Sequence, residues 1–302
     1  MDITFENQGL SLSGTITLPA QSGHPHSGLV LVGGSGPTDR HHGGYFDTLG
    51  DHLTDAGVAV LSYDKRGVGA STGTWATATV DELAGDAAAA CAALQAHERV
   101  APDAVGVLGH SEGGWVALRV CARQRVGTRL ILNSCPSVSF IDAEEFALVA
   151  EGASPREAAA AAVLLRELTR AAESGAELSA GQRMFAAARD EPWYATVLAS
   201  GFVLDEEHWS MLRAWGSYDP SSDLAGLLSP ALVVLGADDP LVPVQASVAA
   251  YELTAREAGR AQELVLFAGA DHRLNSSDTG RLADGYLSTL SRWALAGQGE
   301  PR

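Results

Sequence analysis

The sequence predicts an α/β protein: a mostly parallel central sheet flanked by helices, with a helical cap inserted into it. Three observations carry this prediction. Short, continuously apolar runs recur at Leu29 to Val32, Val58 to Leu61, Val105 to Leu108, Leu130 to Leu132, Ala231 to Leu235 and Leu264 to Phe267, the composition of strands covered on both faces. Between most of them lie segments of helical length and period, and alternating strand and helix implies parallel strands joined by crossovers. The rhythm then breaks, because roughly 90 residues with only helical signals separate the strand ending near Asn133 from the one starting near Ala231.

At the start of the chain, Leu10, Leu12, Ile16 and Leu18 alternate with Ser11, Ser13, Thr15 and Thr17. Such alternation describes a half-exposed strand, antiparallel and at the sheet edge together with Ile3 to Phe5. Helices are expected at Tyr45 to Ala56, Val80 to His97, Gly114 to Arg123 and Val244 to Ala258. A last helix, with Leu282, Tyr286, Leu290 and Trp293 on one face, closes the domain.

Inside the long interval, Ser154-Pro155-Arg156-Glu157 is a capping box with proline at the first helical position, and that helix stops near Gly175. Ser179 starts a second helix that must end before Pro192, and Asp205 caps a third with His208, Met211, Leu212 and Trp215 on one face. The interval reads as a cap over the carboxyl edge of the sheet, where ligands bind in open α/β folds. The expected divisions are 1–135 and 223–302 for the two parts of the core and 136–222 for the cap.

The chemistry centres on Gly109-His110-Ser111-Glu112-Gly113, between the apolar run Val105 to Leu108 and Trp115-Val116-Ala117-Leu118. This is a strand, a sharp corner and a helix, the arrangement of a nucleophile elbow. Small residues two before and two after the serine let strand and helix pass closely while the hydroxyl stands clear. A serine needs a base and an acid to orient that base, following it in the order acid then histidine, each just after a strand. Gly236-Ala237-Asp238-Asp239-Pro240 and Gly269-Ala270-Asp271-His272 occupy those places. Asp239 is preferred to Asp238 because it lies four residues before Pro243 in a Gly-x-x-Asp-x-x-Val-Pro pattern; Asp271 reads as a turn residue.

Of the other histidines, His24, His26, His41, His42 and His52 precede the elbow, the wrong order for a base. His97 lies in a surface-like helical segment, and His110 faces away from the hydroxyl. His208 either lines a substrate pocket from the cap or is a hydrogen-bonded histidine on the cap's apolar face. The oxyanion needs donors already aimed at it. One is the backbone N–H of Glu112, and the other comes from the loop Gly33-Gly34-Ser35-Gly36-Pro37, whose glycines permit unusual torsions. A phosphate cradle is disfavoured there, since the lysine and hydroxyl that would follow are absent.

The 302 residues carry a net charge of -17, which argues against nucleic acid or an anionic membrane as partner. Lys65 is the only lysine among 20 basic residues, a bias that suggests a GC-rich genome and no mechanism. The first residues lack the basic and apolar segments of a signal peptide, so a cytoplasmic protein is expected. Cys91, Cys121 and Cys135 show no metal or redox spacing and are expected as buried free thiols.

With these parts in place, the chain resembles the α/β-hydrolase superfamily, and more narrowly the capped bacterial serine carboxylesterases related to serine-aminopeptidase-like hydrolases. The resemblance runs from Leu29 to His272. It rests on Gly34-Ser35-Gly36-Pro37-Thr38-Asp39-Arg40, on Asp64-Lys65-Arg66-Gly67-Val68-Gly69-Ala70-Ser71, on the elbow's His110-Ser111-Glu112-Gly113-Gly114, and on Ser217-Tyr218-Asp219-Pro220 at the cap exit. Many relatives carry histidine where this chain has Gly33. The resemblance implies Ser111 as nucleophile, Asp239 as acid, His272 as base, and Ser35 and Glu112 as the residues giving the oxyanion N–H groups. It makes Asp64 and Arg66 structural supports.

The expected reaction is hydrolysis of a small-molecule ester or thioester through an acyl-enzyme, without metal or organic cofactor. Amide hydrolysis, an acyltransferase, a biosynthetic thioesterase or cyclase, and a non-catalytic binding protein on the same fold are the alternatives. The cap holds large side chains that could shape a pocket, among them Phe140, Phe146, Met184, Phe185, Trp193, Tyr194, Phe202, Trp209 and Trp215. Trp209 and Trp215, with His208, are the substrate-binding candidates, favouring a small or medium apolar acyl group; the alternative is that they form the cap's own core.

Overall fold

The apolar runs form the middle of one eight-stranded sheet. Its strands are β1 (Asp2–Asn7), β2 (Leu10–Thr17), β3 (His26–Val32), β4 (Ala59–Tyr63), β5 (Val100–His110), β6 (Leu130–Asn133), β7 (Ala231–Gly236) and β8 (Gln262–Phe267), in the order β1-β2-β4-β3-β5-β6-β7-β8. The β1–β2 and β2–β4 pairs are antiparallel and every other pair is parallel. This is a computed structural model, and it describes residues 1–20, 25–199 and 203–296; His24 and Phe202 lie outside them.

Alternation within each central strand divides the core. Val30 and Val32 face one side of the sheet with Val107, Leu132 and Val233, while Leu29 and Leu31 face the other with Leu108, Ile131 and Leu232. The second side is covered by α1 (Tyr45–Asp55) and α11 (Tyr286–Leu295), through Phe46, Leu49, Leu53, Leu290 and Trp293. The first is covered by α2 (Val80–Gln95), α3 (Glu112–Arg119) and α10 (Val244–Ala258), through Leu83, Leu94, Trp115, Leu118 and Tyr251. β8 departs from the expectation of two covered faces. It lies at the sheet edge with no strand beyond it among the described residues, and Leu266 is 48% exposed.

Between β6 and β7 lie α4 (Phe140–Ala150), α5 (Pro155–Glu173), α6 (Leu178–Ala187), α7 (Tyr194–Ala199), α8 (Glu206–Trp215) and α9 (Ser221–Gly226). The capping box at Ser154 and Glu157 forms both of its reciprocal bonds, and the Asp205 carboxylate accepts the His208 N–H at 2.9 Å. α6 begins at Leu178, one residue ahead of the predicted Ser179, with no side-chain cap. The predicted boundary at 222 falls inside α9. The two ends of the inserted segment meet where the Phe140 N–H donates to the Tyr218 carbonyl at 2.9 Å.

The predicted helix from Gly114 to Arg123 starts earlier, at Glu112, and gives way after Arg119 to a π-helical turn over Val120–Gln124. Across this turn the Nε atoms of Arg119 and Arg123 both donate to the fully buried Asp223 carboxylate, at 2.6 and 2.7 Å, fastening α9 to the end of the elbow helix. Cys91, Cys121 and Cys135 are free and buried, and burial pushes the Cys91 thiol up to about 12.

Candidate active site

Because β3, β5, β7 and β8 run parallel, the loops that follow them emerge along one edge of the sheet. Ser111 sits at the corner between β5 and α3 with φ 55° and ψ −128°, a strained conformation for a residue with a side chain. A Cβ added at Gly109 would collide with the Gly113 backbone, and one at Gly113 with the carbonyls of Val32 and Gly33. Glycine at both positions is therefore a packing requirement of the corner. The Ser111 N–H donates to the Asn133 carbonyl at 2.9 Å, tying the corner to β6.

His272 Nδ1 lies 2.8 Å from Asp239 Oδ2, and the Asp239 side chain is wholly buried. The other carboxylate oxygen of Asp239 accepts the N–H groups of Leu241 at 2.8 Å and Val242 at 3.1 Å. With its acceptor sites filled in this way, Asp239 holds the Nδ1–H tautomer of His272 and leaves Nε2 as the basic nitrogen. Asp238 is exposed. Asp271 accepts the N–H groups of Arg273 and Asn275, each at 2.8 Å, which makes it a turn residue.

Behind His272 lies a second set of imidazoles that the sequence order set aside. His110 Nε2 is 3.2 Å from the His272 carbonyl oxygen, and His110 Nδ1 is 3.1 Å from His42 Nε2. A carbonyl only accepts, so His110 carries its proton on Nε2 and His42 donates to its Nδ1. Both rings are neutral. Burial first, then the charges of Arg273 and Lys65, lowers His42 to about 4, and burial lowers His110 well below the ordinary histidine value. Tyr45 packs edge-on beneath His110 and its hydroxyl joins Asn133 and Tyr286, each at 2.7 Å.

Ser35 is exposed, and the loop residue before it, Gly34, lies against the elbow: a Cβ there would stand 3.2 Å from the Ser111 Cβ. Among the described residues neither the Ser35 nor the Glu112 amide donates a hydrogen bond to the protein. A Cβ at Gly33 would stand 2.5 Å from Thr38 Oγ1, so any side chain there requires Thr38 to move.

The segment after β4 braces this loop from three sides. The Asp64 carboxylate takes Arg40 Nη2 at 2.8 Å, Arg40 Nε at 3.1 Å and the Arg40 N–H at 2.9 Å; burial pushes its carboxyl up, but these bonds hold it below the usual range. Arg66 forms two bonds to buried Asp86 on α2, at 2.7 and 2.9 Å. Between them Lys65, only 7% exposed, reaches the Gly34 carbonyl. The sequence held a signal for Lys65: a chain that otherwise uses only arginine as its basic residue keeps one lysine at this position.

The inserted helices enclose a cavity of about 160 Å³, lined by apolar side chains including Phe140, Leu168, Phe185, Trp193 and Met211, together with Glu144, Glu151 and His208. Glu144 as a whole residue is exposed, but crowding around its carboxyl, followed by the Glu151 charge, pushes that group up to about 7, and Glu112 is near enough to add to the shift. Ser111, Trp209 and Trp215 are not among the described residues lining this cavity. The Trp209 indole packs against Gly181 and donates to the Ala176 carbonyl at 3.2 Å. Trp215 stacks on Trp115 of the elbow helix, centroids 6.1 Å apart, and donates to the Ala78 carbonyl at 2.9 Å. Both tryptophans are thus buried structural contacts. Among the described residues no group of three or more His, Cys, Asp or Glu side chains is arranged to hold a metal ion, and no helix is long and apolar enough to cross a membrane.

Residues 23–278 match the family described as serine aminopeptidase, S33. No curated protein sequence matches the chain. Among solved structures the fold is similar to esterase Pf2001 of Pyrococcus furiosus, with 18% identity, a TM-score of 0.65, and 98% of this chain and 89% of that one covered. It is similar also to the proline iminopeptidase of Mycobacterium smegmatis, with 18% identity, a TM-score of 0.62 and 97% of each chain covered. A third similar structure is Est1E of Butyrivibrio proteoclasticus with ferulic acid bound, with 16% identity, a TM-score of 0.56, and 97% and 96% covered. With this match over most of its length and an eight-stranded sheet of the same fold, the chain belongs to the serine aminopeptidase S33 family of α/β-hydrolases.

Proposed function

We propose that the protein is a serine hydrolase cleaving carboxylic esters or thioesters of small to medium substrates through an acyl-enzyme. The observation that carries this reading is the contact between His272 Nδ1 and wholly buried Asp239 on the same sheet edge as the strained corner at Ser111. In the proposed sequence of steps His272 Nε2 takes the Ser111 hydroxyl proton as Oγ attacks the carbonyl. The Ser35 and Glu112 amides hold the resulting oxyanion, each worth about a hundredfold to a thousandfold in rate. The imidazolium then returns the proton to the leaving oxygen or sulfur, and water repeats the cycle on the acyl-enzyme. The apolar cavity among the inserted helices, within electrostatic reach of Glu112, is assigned to the acyl group, with these helices acting as a cap.

Intact-mass labelling with a fluorophosphonate, on the natural sequence and on Ser111→Ala, tests the assignment alongside hydrolysis of a p-nitrophenyl ester series. Labelling lost in the variant, with turnover that falls as the acyl chain lengthens, is the expected result. Labelling without turnover of simple esters moves the assignment to acyl transfer or a selective natural-product thioesterase. No labelling removes Ser111 as nucleophile.

A second reading, release of N-terminal residues from peptides, is favoured by the carboxyl groups of Glu144 and Glu151, which line the cavity with His208 and would receive an ammonium group. Aminoacyl p-nitroanilides cleaved faster than the esters would establish it.

A further inference from the structure

Lys65 stands at the back of the proposed oxyanion hole. Its Nζ donates to the Gly34 carbonyl at 2.5 Å and lies 3.3 Å from Glu112 Oε1, in a side chain only 8% exposed. The Gly34 carbonyl and the Ser35 N–H belong to one planar peptide, and no cis peptide occurs in the described chain. Carbonyl and N–H therefore point in opposite directions, so whatever holds the carbonyl aims the N–H.

The loop has little means of holding this peptide by itself. Gly34 lacks the Cβ that would restrict rotation on one side, and two residues on, Gly36 is in the left-handed region at φ 79°. Gly34 is buried, so a flipped peptide would leave its carbonyl unpaired or turn the Ser35 N–H away from the elbow. The backbone of Lys65 adds a second tie, its N–H donating to the Thr38 carbonyl at 3.1 Å, so both ends of the turn hang on one residue.

We infer that Lys65 is a positioning residue of the oxyanion hole, its ammonium setting the Gly34–Ser35 peptide and tying it to Glu112, whose own N–H is the second donor. The inference rests on the serine hydrolase reading above. The ammonium also polarises the peptide it grips, strengthening the N–H on the far side as a donor to developing negative charge. Its paired Glu112 carboxylate balances the buried charge, so the cation is held in place without a free counter-ion.

The test is Lys65→Met, which keeps the length and removes the donors, with kcat and KM measured on p-nitrophenyl acetate. The expected result is a kcat lower by about ten- to a hundredfold with KM within about twofold, because an aimed donor acts on the transition state alone. Inhibition by a trifluoromethyl ketone, whose adduct places an oxyanion in the hole, weakens by a similar factor. Lys65→Ala provides a second route: added propylammonium restores kcat in a saturable way, which a purely structural residue would not permit.

A kcat within about twofold of the natural protein in Lys65→Met overturns the inference, as does a lost activity in Lys65→Ala that propylammonium leaves unrestored. Failure of the underlying hydrolase reading has a different signature: Ser111→Ala then retains turnover. If Lys65→Met does not fold, the amine titration of Lys65→Ala decides.

Discussion

His110 Nε2 donates to the backbone carbonyl of His272 across 3.2 Å, so the residue before the proposed nucleophile steadies the main chain of the proposed base. With His42 behind it, the elbow and the histidine loop are joined by a buried chain of neutral imidazoles.

Neutral burial makes this chain sensitive to acid. His42 binds its proton at about 4 in the folded protein against 6.5 for the free side chain, so the unfolded state takes up more protons between these values. Stability is then fully present above the unfolded value and falls as the pH drops through 6.5 toward 4. From pH 7 to pH 5 the His42 contribution to the loss is about 2 kcal/mol. Urea unfolding at both pH values is expected to show a smaller loss in His42→Phe; identical losses would refute the assignment.

Asp239→Asn is expected to lower kcat on the order of a thousandfold to ten-thousandfold, because an amide cannot hold the same His272 tautomer. Exposed Asp238 lies outside this contact, and Asp238→Asn should stay within about twofold of the natural protein. Steady-state assays of both variants on one ester make the comparison, and equal losses would place the acid wrongly.

The Arg66–Asp86 pair is almost fully buried, with side chains 6% and 1% exposed, and Asn7 adds a bond to Asp86 at 2.7 Å. Asp86→Ala leaves the buried guanidinium with only the more exposed Glu82, at 3.3 Å, as a carboxylate partner, so the change should cost about 3 kcal/mol. The double variant Arg66→Met with Asp86→Leu is expected to cost less than that single change. Urea midpoints of the two variants provide the measurement.

Trp215→Ala removes a stacked indole and its bond to Ala78 and should destabilise by about 3–5 kcal/mol while leaving acyl-chain preference unchanged. Met211→Trp, in the cavity wall, should instead shift the preference toward shorter chains at little cost in stability. An ester series run beside thermal unfolding separates the two effects.

Local rules of sequence carried far in this chain because so much of the fold obeys them. The run Val105 to Leu108 became the buried strand its composition predicted, and Ser154 with Glu157 marked a helix start to the residue. β8 misled because an apolar run reports composition, whereas exposure at a sheet edge depends on what lies beyond it. The same distinction separates site residues. Ser111, Asp239 and His272 each follow a strand in a set order, so their placement along one sheet edge was legible. Lys65 acts on a carbonyl 31 residues away, and His42 on a ring 68 residues away, contacts that no spacing announces. Aromatic content in the insertion was equally silent about direction, since Trp209 and Phe185 look alike until packing sends one to structure and the other to the cavity wall.

The hydrogen bond between the Phe140 N–H and the Tyr218 carbonyl brings the two ends of the inserted helices together at their base. From the sheet's side, β6 and β7 remain direct parallel neighbours in register, Leu130 beside Ala231, with the insertion carried entirely within their crossover. The whole insertion therefore leaves and re-enters the sheet without parting the two strands it separates in sequence, held on its far side by the stack of Trp215 on Trp115.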